Sequence, residues 1–305
     1  MSPSAKGRED TSQGIELFAP AKINLDLRIL GRRSDGFHEL STRMAPVSLG
    51  DRLQVALRPG REISFRCDDA RIPAGEENLV CRAARLFADS FGLPCGLEIV
   101  LEKRLPSGAG LGGGSSDAAA TLLALRSLFG RPSSLDALLP LAASLGSDVP
   151  FFLFRNPALC HGRGEIVTPE PWLGPRMGLL LFPGFPVPTP WAYHAYARNP
   201  RPGEERGLPP WGPVRNDLEP AVFEKFLWIA VAREWLQKEA RAELALMSGS
   251  GSSVFGLWTD PPEPELVERA RLFFGPEAWI ETFSILSDGS SRNSGALLTE
   301  SSHRD

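Results

Sequence analysis

The sequence predicts an α+β protein of two domains. Three observations carry that prediction. Strand and helix patterns mix along the chain without a regular βαβ alternation. The chain has 305 residues, about two domains' worth. A proline-rich break, Pro169-Glu170-Pro171-Trp172-Leu173-Gly174-Pro175, falls past its middle. It sets expected domains at 1–172 and 173–305, with polar, frayed ends at 1–14 and 296–305.

The strands are read from alternation. From Lys22 to Ile29, polar Lys22, Asn24, Asp26 and Arg28 alternate with apolar Ile23, Leu25, Leu27 and Ile29. Period two predicts a half-buried strand, with Lys22 and Asn24 together on a face pointing away from the core. Breakers at Ser34-Asp35-Gly36 predict a turn over 31–36. Leu53–Leu57 and Glu62–Phe65 read as strands joined by a turn at Pro59-Gly60. Leu97–Lys103 alternates again and reads as another. Met177–Phe182 opens the core of the second half.

The helices are read from caps and 3.6 periodicity. Asn78 caps a helix carrying Leu79, Ala83, Leu86 and Phe87. A second runs from Ser116 to Phe129, with Leu122, Leu125 and Leu128 at helical spacing. Others are expected over 135–145, near 217–239 and over 263–274. Residues 199–213, rich in Pro, Gly and charge, read as a long loop or lid.

Composition excludes several classes. At 42% hydrophobic and 23% charged, the chain is neither disordered nor fibrous. A net charge of −4 gives no basic stripe for nucleic acid, yet allows a local positive pocket. Cys67, Cys81, Cys95 and Cys160 show no C-x-x-C spacing, so reduced thiols are expected. Met1–Gly14 lacks the apolar run of a signal peptide, and no stretch approaches the ~20 apolar residues of a membrane helix. A cytoplasmic protein with no membrane partner is therefore expected.

Five segments could carry chemistry. The strongest is Pro106-Ser107-Gly108-Ala109-Gly110-Leu111-Gly112-Gly113-Gly114-Ser115-Ser116-Asp117, leading directly into a helix. Its glycines leave backbone amides unshielded, and the helix end adds positive charge, which together make an anion cradle. Gly108–Gly113 also fits G-x-G-x-x-G, but the strand before it carries Glu98, Glu102 and Lys103 rather than the apolar run of a dinucleotide fold. The P-loop pattern is absent. The other segments are Lys22-x-Asn24, Gly146-Ser147-Asp148 before an apolar run, Met247-Ser248-Gly249-Ser250-Gly251 between two apolar strands, and Asp35-Gly36-Phe37-His38-Glu39. Phe37 offers a stacking face. His38 offers two ring nitrogens to a base edge.

Together these segments resemble the GHMP small-molecule kinases. The matching residues are Pro20–Leu25, Gly31–Leu40, Pro106–Ser116, Ser147–Phe152, Asn216–Glu219 and Ser248–Gly251. They stand in family order and span nearly the whole chain. Phe37 stands where the family commonly has Tyr, and Ser147 where it has Ala. The resemblance implies an N-terminal ATP-binding domain, a C-terminal α/β-sandwich domain and an active site in the cleft between them.

It also implies roles. The Pro106–Ser116 loop would wrap the ATP phosphates, and Asn78 and Leu79 would border the adenine. Asp148 would take the proton of the attacking hydroxyl, while Lys22 offsets charge developing on that oxygen. Asn24 and Thr189 would meet the acceptor, and Phe37 and His38 would hold its cytosine. Mg²⁺ would accompany ATP, with ligands that the residues do not assign. The implied acceptor is 4-diphosphocytidyl-2-C-methyl-D-erythritol, and the implied assembly a monomer or weak homodimer. Three rivals stand beside this reading: a kinase of the same fold for homoserine, mevalonate or a sugar; a non-catalytic nucleotide sensor; and a dinucleotide-dependent oxidoreductase.

Overall fold

The computed structural model describes residues 14–132, 134–174, 177–207 and 212–287. Most of the expected frayed ends, residues 1–13 and 296–305, lie outside these. Gly14 is not frayed. It opens β1 (Gly14–Arg32), paired with Ala56.

Two long strands organise the first half. β1 runs antiparallel to β2 (His38–Arg58) along nearly its whole length. On its other side β2 pairs β4 (Gly96–Glu102) through Arg52–Arg58, and β5 (Ala158–Gly162) through Leu40–Met44. β3 (Ile63–Cys67) joins β4 in parallel, and β6 (Ile166–Pro169) closes the other edge. The expected strands at 53–57 and 62–65 are thus not a hairpin, because β4 lies between them. Helix α1 (Leu79–Phe91), α2 (Gly113–Phe129), α3 (Leu139–Leu145) and α4 (Val149–Phe154) bury their apolar residues against this sheet and one another.

The second half builds an antiparallel sheet ordered β10 (Leu244–Met247), β11 (Val254–Trp258), β7 (Met177–Phe182) and β12 (Trp279–Ser284). Helices α5 (Thr189–Arg198), α6 (Glu219–Lys225), α7 (Leu227–Lys238) and α8 (Leu266–Phe274) belong to this half. The helix expected at 217–239 is two helices, broken at Phe226. The expected 199–213 loop carries a short ribbon instead: β8 (Arg206–Gly207) pairs β9 (Pro213–Val214).

β1 belongs to two cores. Ile15, Leu17 and Ala19 pack in the first. The register then shifts between Pro20 and Lys22. Beyond it Ala21, Ile23 and Leu25 pack against Leu180, Leu246 and Phe255 of the second sheet. Lys22 and Asn24, alternating with these apolar residues, lie beneath the glycine loops, so both are buried, each 4% exposed. The exposed polar face expected for them is corrected by this packing.

No described helix is long and apolar enough to cross a membrane. All four cysteines are free, two buried and two half-buried.

Candidate active site

The cleft between the two halves has a volume of about 790 Å³, and its walls hold nearly every residue expected of the site. Lys22 and Asn24 of β1, Phe37 and His38 at the start of β2, Asn78 and Leu79, the loop from Pro106 to Ser115, Asp148, and Thr189 of α5 all line it. Ser116 does not. It is 1% exposed, having turned inward on the buried first turns of α2.

The glycine-rich loop is held by its apolar residues. Leu105, Ala109 and Leu111 sink into the core between the sheets, which turns the glycines toward the cleft. The loop is also tied by backbone on both sides. Lys22 N donates to Leu111 O at 2.9 Å, and Ser253 N to Ala109 O at 3.1 Å. Gly110 has φ +78°, and a Cβ there would lie 2.5 Å from Ser248 O and 2.8 Å from Gly251 O. Only glycine lets the two loops approach so closely. Helix α2 begins at Gly113, inside the loop rather than at Ser116, so amides of its first turn remain free of intrahelical partners. Free amides and a helix N-terminus suit a polyphosphate.

Asn78 meets its expected cap role. Its Oδ1 accepts from Val80 N at 2.8 Å, and its Nδ2 donates to Pro73 O at 2.7 Å. The amide is therefore committed to α1 and to the loop before it, and Leu79 offers an apolar surface beside it.

Asp148 and Lys22 meet at the centre. Lys22 Nζ lies 3.7 Å from Asp148 Oδ2, and donates to Asn24 Oδ1 at 2.6 Å and Gly110 O at 3.0 Å. Asn24 Nδ2 in turn donates to Thr42 Oγ1 at 2.9 Å, which donates to Asp26 O at 2.7 Å. The ammonium is thus fixed by a buried network, while Asp148, about a third exposed, faces the cleft immediately before α4.

The second half closes over this centre with the Ser248–Gly251 turn. Ser248 Oγ donates to Gly110 O at 3.0 Å. Thr189 Oγ1 and Ser250 Oγ lie 2.8 Å apart. Asn216 supports the turn, donating to both Met247 O and Gly249 O at 2.8 Å.

Several lining residues were given no role from the sequence. Tyr193 of α5 stacks on His38, with ring centroids 5.1 Å apart and planes 23° apart. Phe37, His38 and Tyr193 thus gather at one end of the cleft. Burial depresses the His38 pKa, with the Arg32 and His194 charges adding to the effect. A neutral imidazole offers one donor and one acceptor to a base edge. At the other end Lys103 Nζ bridges Asp51, at 2.5 Å, and Asp117, at 2.9 Å. Asp51 also accepts from Arg104 N and Leu105 N at 2.6 and 2.9 Å. This buried triad buttresses the start of the glycine loop. Burial pushes the Asp117 carboxyl up to about 7. The sequence signal for the triad was slight: a Lys closing a strand, and an Asp after the Gly/Ser run.

Comparison with known proteins agrees with this geometry. The GHMP kinases N terminal domain matches residues 78–156, and the GHMP kinases C terminal domain matches 211–276. A 4-diphosphocytidyl-2-C-methyl-D-erythritol kinase of Methylacidiphilum infernorum is 49% identical over 287 residues, covering 90% of this chain and 98% of that one. This chain belongs to the GHMP kinase family. The kinase of the same description from Thermus thermophilus is 42% identical, covering 88% of this chain and 96% of its own. A crystal structure of 4-(cytidine 5'-diphospho)-2C-methyl-D-erythritol kinase superposes with a TM-score of 0.71 at 40% identity, over 88% of this chain and 99% of that one. A homoserine kinase from Cytophaga hutchinsonii shares the GHMP kinase fold, with a TM-score of 0.69 at 19% identity over 93% of this chain and 98% of that one.

Proposed function

We propose that this GHMP kinase transfers the γ-phosphoryl group of ATP to the 2-hydroxyl of 4-diphosphocytidyl-2-C-methyl-D-erythritol, giving the 2-phosphate and ADP. The step belongs to the non-mevalonate route to isoprenoid precursors. One observation carries the reading. The Asp148–Lys22 pair sits between a backbone anion cradle and an end lined by aromatic rings, all in one cleft.

Phosphoryl transfer asks a protein mainly for positioning and charge neutralisation, and each residue group has a task in that scheme. The amides of Gly108–Ser115 hold the phosphates, and Leu79 packs beside the adenine. Asp148 accepts the proton of the attacking hydroxyl. Lys22 stabilises the negative charge that grows on that oxygen as the proton leaves. Asn24 holds Lys22 in place and, with Thr189, orients the acceptor alcohol. Phe37 and Tyr193 offer stacking faces to the cytosine, and His38 reads its edge. The Ser248–Gly251 turn excludes water from above. The domain division proposed at 172/173 falls between β6, which ends the first sheet, and β7, which starts the second.

Mg²⁺ is proposed to accompany ATP. Magnesium keeps several waters and leans on phosphates with one or two protein oxygens. The fit here is with Ser115 and Asp148, oxygen donors that both line the cleft. The Ser115 hydroxyl faces the Gly146–Asp148 turn: a Cβ at Gly146 would lie 3.9 Å from it. When bound, the ion neutralises charge on the transferring phosphoryl group.

The test is ADP release by the purified chain with Mg-ATP, offering the cytidyl acceptor, homoserine, mevalonate and galactose at equal concentration. Turnover with the cytidyl acceptor alone is expected. Turnover with another alcohol would keep the phosphoryl chemistry and overturn the base-reading roles of Phe37 and His38. ATP binding without turnover of any alcohol would favour a sensor.

A further inference from the structure

The acceptor read above carries its alcohol and its nucleoside on opposite sides of a diphosphate, with a negative charge on each phosphorus. None of the residues given roles so far meets that charge. We propose that Arg163 and Arg32 form a diphosphate subsite in the cleft, between the nucleobase end and Asp148. This rests on the acceptor named under the proposed function.

The path of the diphosphate follows from two contacts of one turn. The turn joining β5 to β6 places the Arg163 guanidinium 4.8 Å from the centroid of the Phe37 ring. At the next residue, Gly164, a Cβ would lie 3.6 Å from Asp148 Oδ1. Adjacent residues therefore touch the base-reading end and the carboxylate at the centre. A diphosphate joining a base stacked at Phe37 to a hydroxyl at Asp148 has to cross this turn.

The arginine is arranged to receive an anion there. A guanidinium stacked on a ring engages its face and leaves its N–H edge open to in-plane acceptors. Its one ion-pair contact among the described residues is loose: Nε lies 3.8 Å from Glu165 Oε1, beyond hydrogen-bond distance. The Glu165 carboxylate instead accepts the backbone N–H of Arg163 at 2.6 Å. Among the described residues the Arg163 guanidinium donates no hydrogen bond, although its side chain is only 30% exposed.

Arg32 supplies the second cation. It stands directly opposite His38 in the β1–β2 ladder, so the two side chains rise on the same face, about 5 Å apart at Cβ. It lines the cleft and is exposed, and its side chain makes no ion pair or hydrogen bond among the described residues. Its neighbour Arg33 differs. That guanidinium is held by Glu39 at 2.6 Å and Asp35 at 3.1 Å, and so carries no spare charge. Two open guanidiniums beside one aromatic pocket suit the fork geometry by which arginine binds phosphate oxygens.

The test is calorimetric titration of the whole chain with cytidine, CMP and CDP, with a non-hydrolysable ATP analogue saturating the donor end. The wild type is expected to bind CDP more tightly than cytidine. Arg163→Gln combined with Arg32→Gln should weaken CDP by about tenfold or more while leaving cytidine and the KM for ATP unchanged. Arg163→Lys keeps the charge but not the fork, and should retain part of the CDP advantage. If cytidine, CMP and CDP weaken together, Arg163 only props Phe37 and the subsite is wrong. An unaltered CDP affinity would overturn it equally. Turnover assays separate the two readings. A wild type that phosphorylates the cytidyl acceptor, with variants of unchanged acceptor KM, sinks the subsite alone. A wild type that turns over only a different alcohol sinks the acceptor reading and the subsite with it.

Discussion

At the proposed donor end of the cleft the wall is backbone: glycine amides and the start of α2, with apolar anchors facing away. At the acceptor end the wall is side chains: Phe37, His38, Tyr193 and Thr189, drawn from β2, its approach and α5. Phosphates are alike in every nucleotide, so a cradle of amides suffices for them. An acceptor must be told from other alcohols, and that discrimination needs particular rings and hydroxyls. Substitution should therefore act differently at the two ends. The donor end should suffer from added atoms, and the acceptor end and centre from removed ones.

The largest effect is expected at the centre. Asp148→Asn removes the proposed proton acceptor and should lower kcat by about 10²–10⁴-fold, with ATP affinity, measured by titration, nearly intact. Near-normal turnover would take Asp148 out of that role. Lys22→Ala should lower kcat by about 10²–10³-fold. If steady-state assays showed a raised acceptor KM with kcat preserved, Lys22 would be a binding residue instead.

Gly110→Ala probes the donor end by adding a single carbon. The new Cβ would strike two carbonyl oxygens of the facing turn, and φ +78° is itself costly for alanine. A destabilisation of at least about 1–3 kcal/mol and a raised KM for ATP are expected from thermal melts and kinetics. Unchanged values of both would mean that the two loops do not need this close approach.

The contrast between the two ends also explains what was legible in the sequence. The cradle is one continuous run, and its physics is local, so Pro106–Ser115 could be found from glycine density and the helix that follows. The Lys22–Ile29 alternation and the Asn78 cap were local signals too. What failed depended on partners far along the chain. Lys22 and Asn24 looked exposed because the loop that covers them lies more than 220 residues away at Ser248–Gly251. Arg163 reaches Phe37 because β5 pairs β2, with Leu40 opposite Gly162. Tyr193 reaches His38 from α5, in the other half of the chain. Helix α4, at six residues, is too short for periodicity to separate from a strand. That β1 serves two cores leaves no mark on the alternation of its residues.

The smallest effect should come from a side chain beneath the donor end. Asp117 is raised from its usual 3.8 to about 7, chiefly by burial. Between those values the folded chain holds a proton that the unfolded chain has released. The stability this contributes is present below about pH 4 and is lost as pH rises through 7. Asp117→Asn escapes that loss. Relative to wild type its Tm should rise by about 1–3 °C between pH 6 and pH 8, with the KM for ATP little changed. A constant difference would mean that the Lys103 charge keeps Asp117 ionised throughout.

The proposed reaction phosphorylates one particular hydroxyl. Phosphorus NMR of the reaction with 4-diphosphocytidyl-2-C-methyl-D-erythritol and Mg-ATP reads this directly. The expected result is one new phosphomonoester resonance, coupled to no proton because the 2-hydroxyl is tertiary. It should grow in step with ADP while the acceptor's diphosphate signals persist. A phosphomonoester coupled to a ribose or primary-carbon proton, or ADP formation with no new ester, would contradict the account.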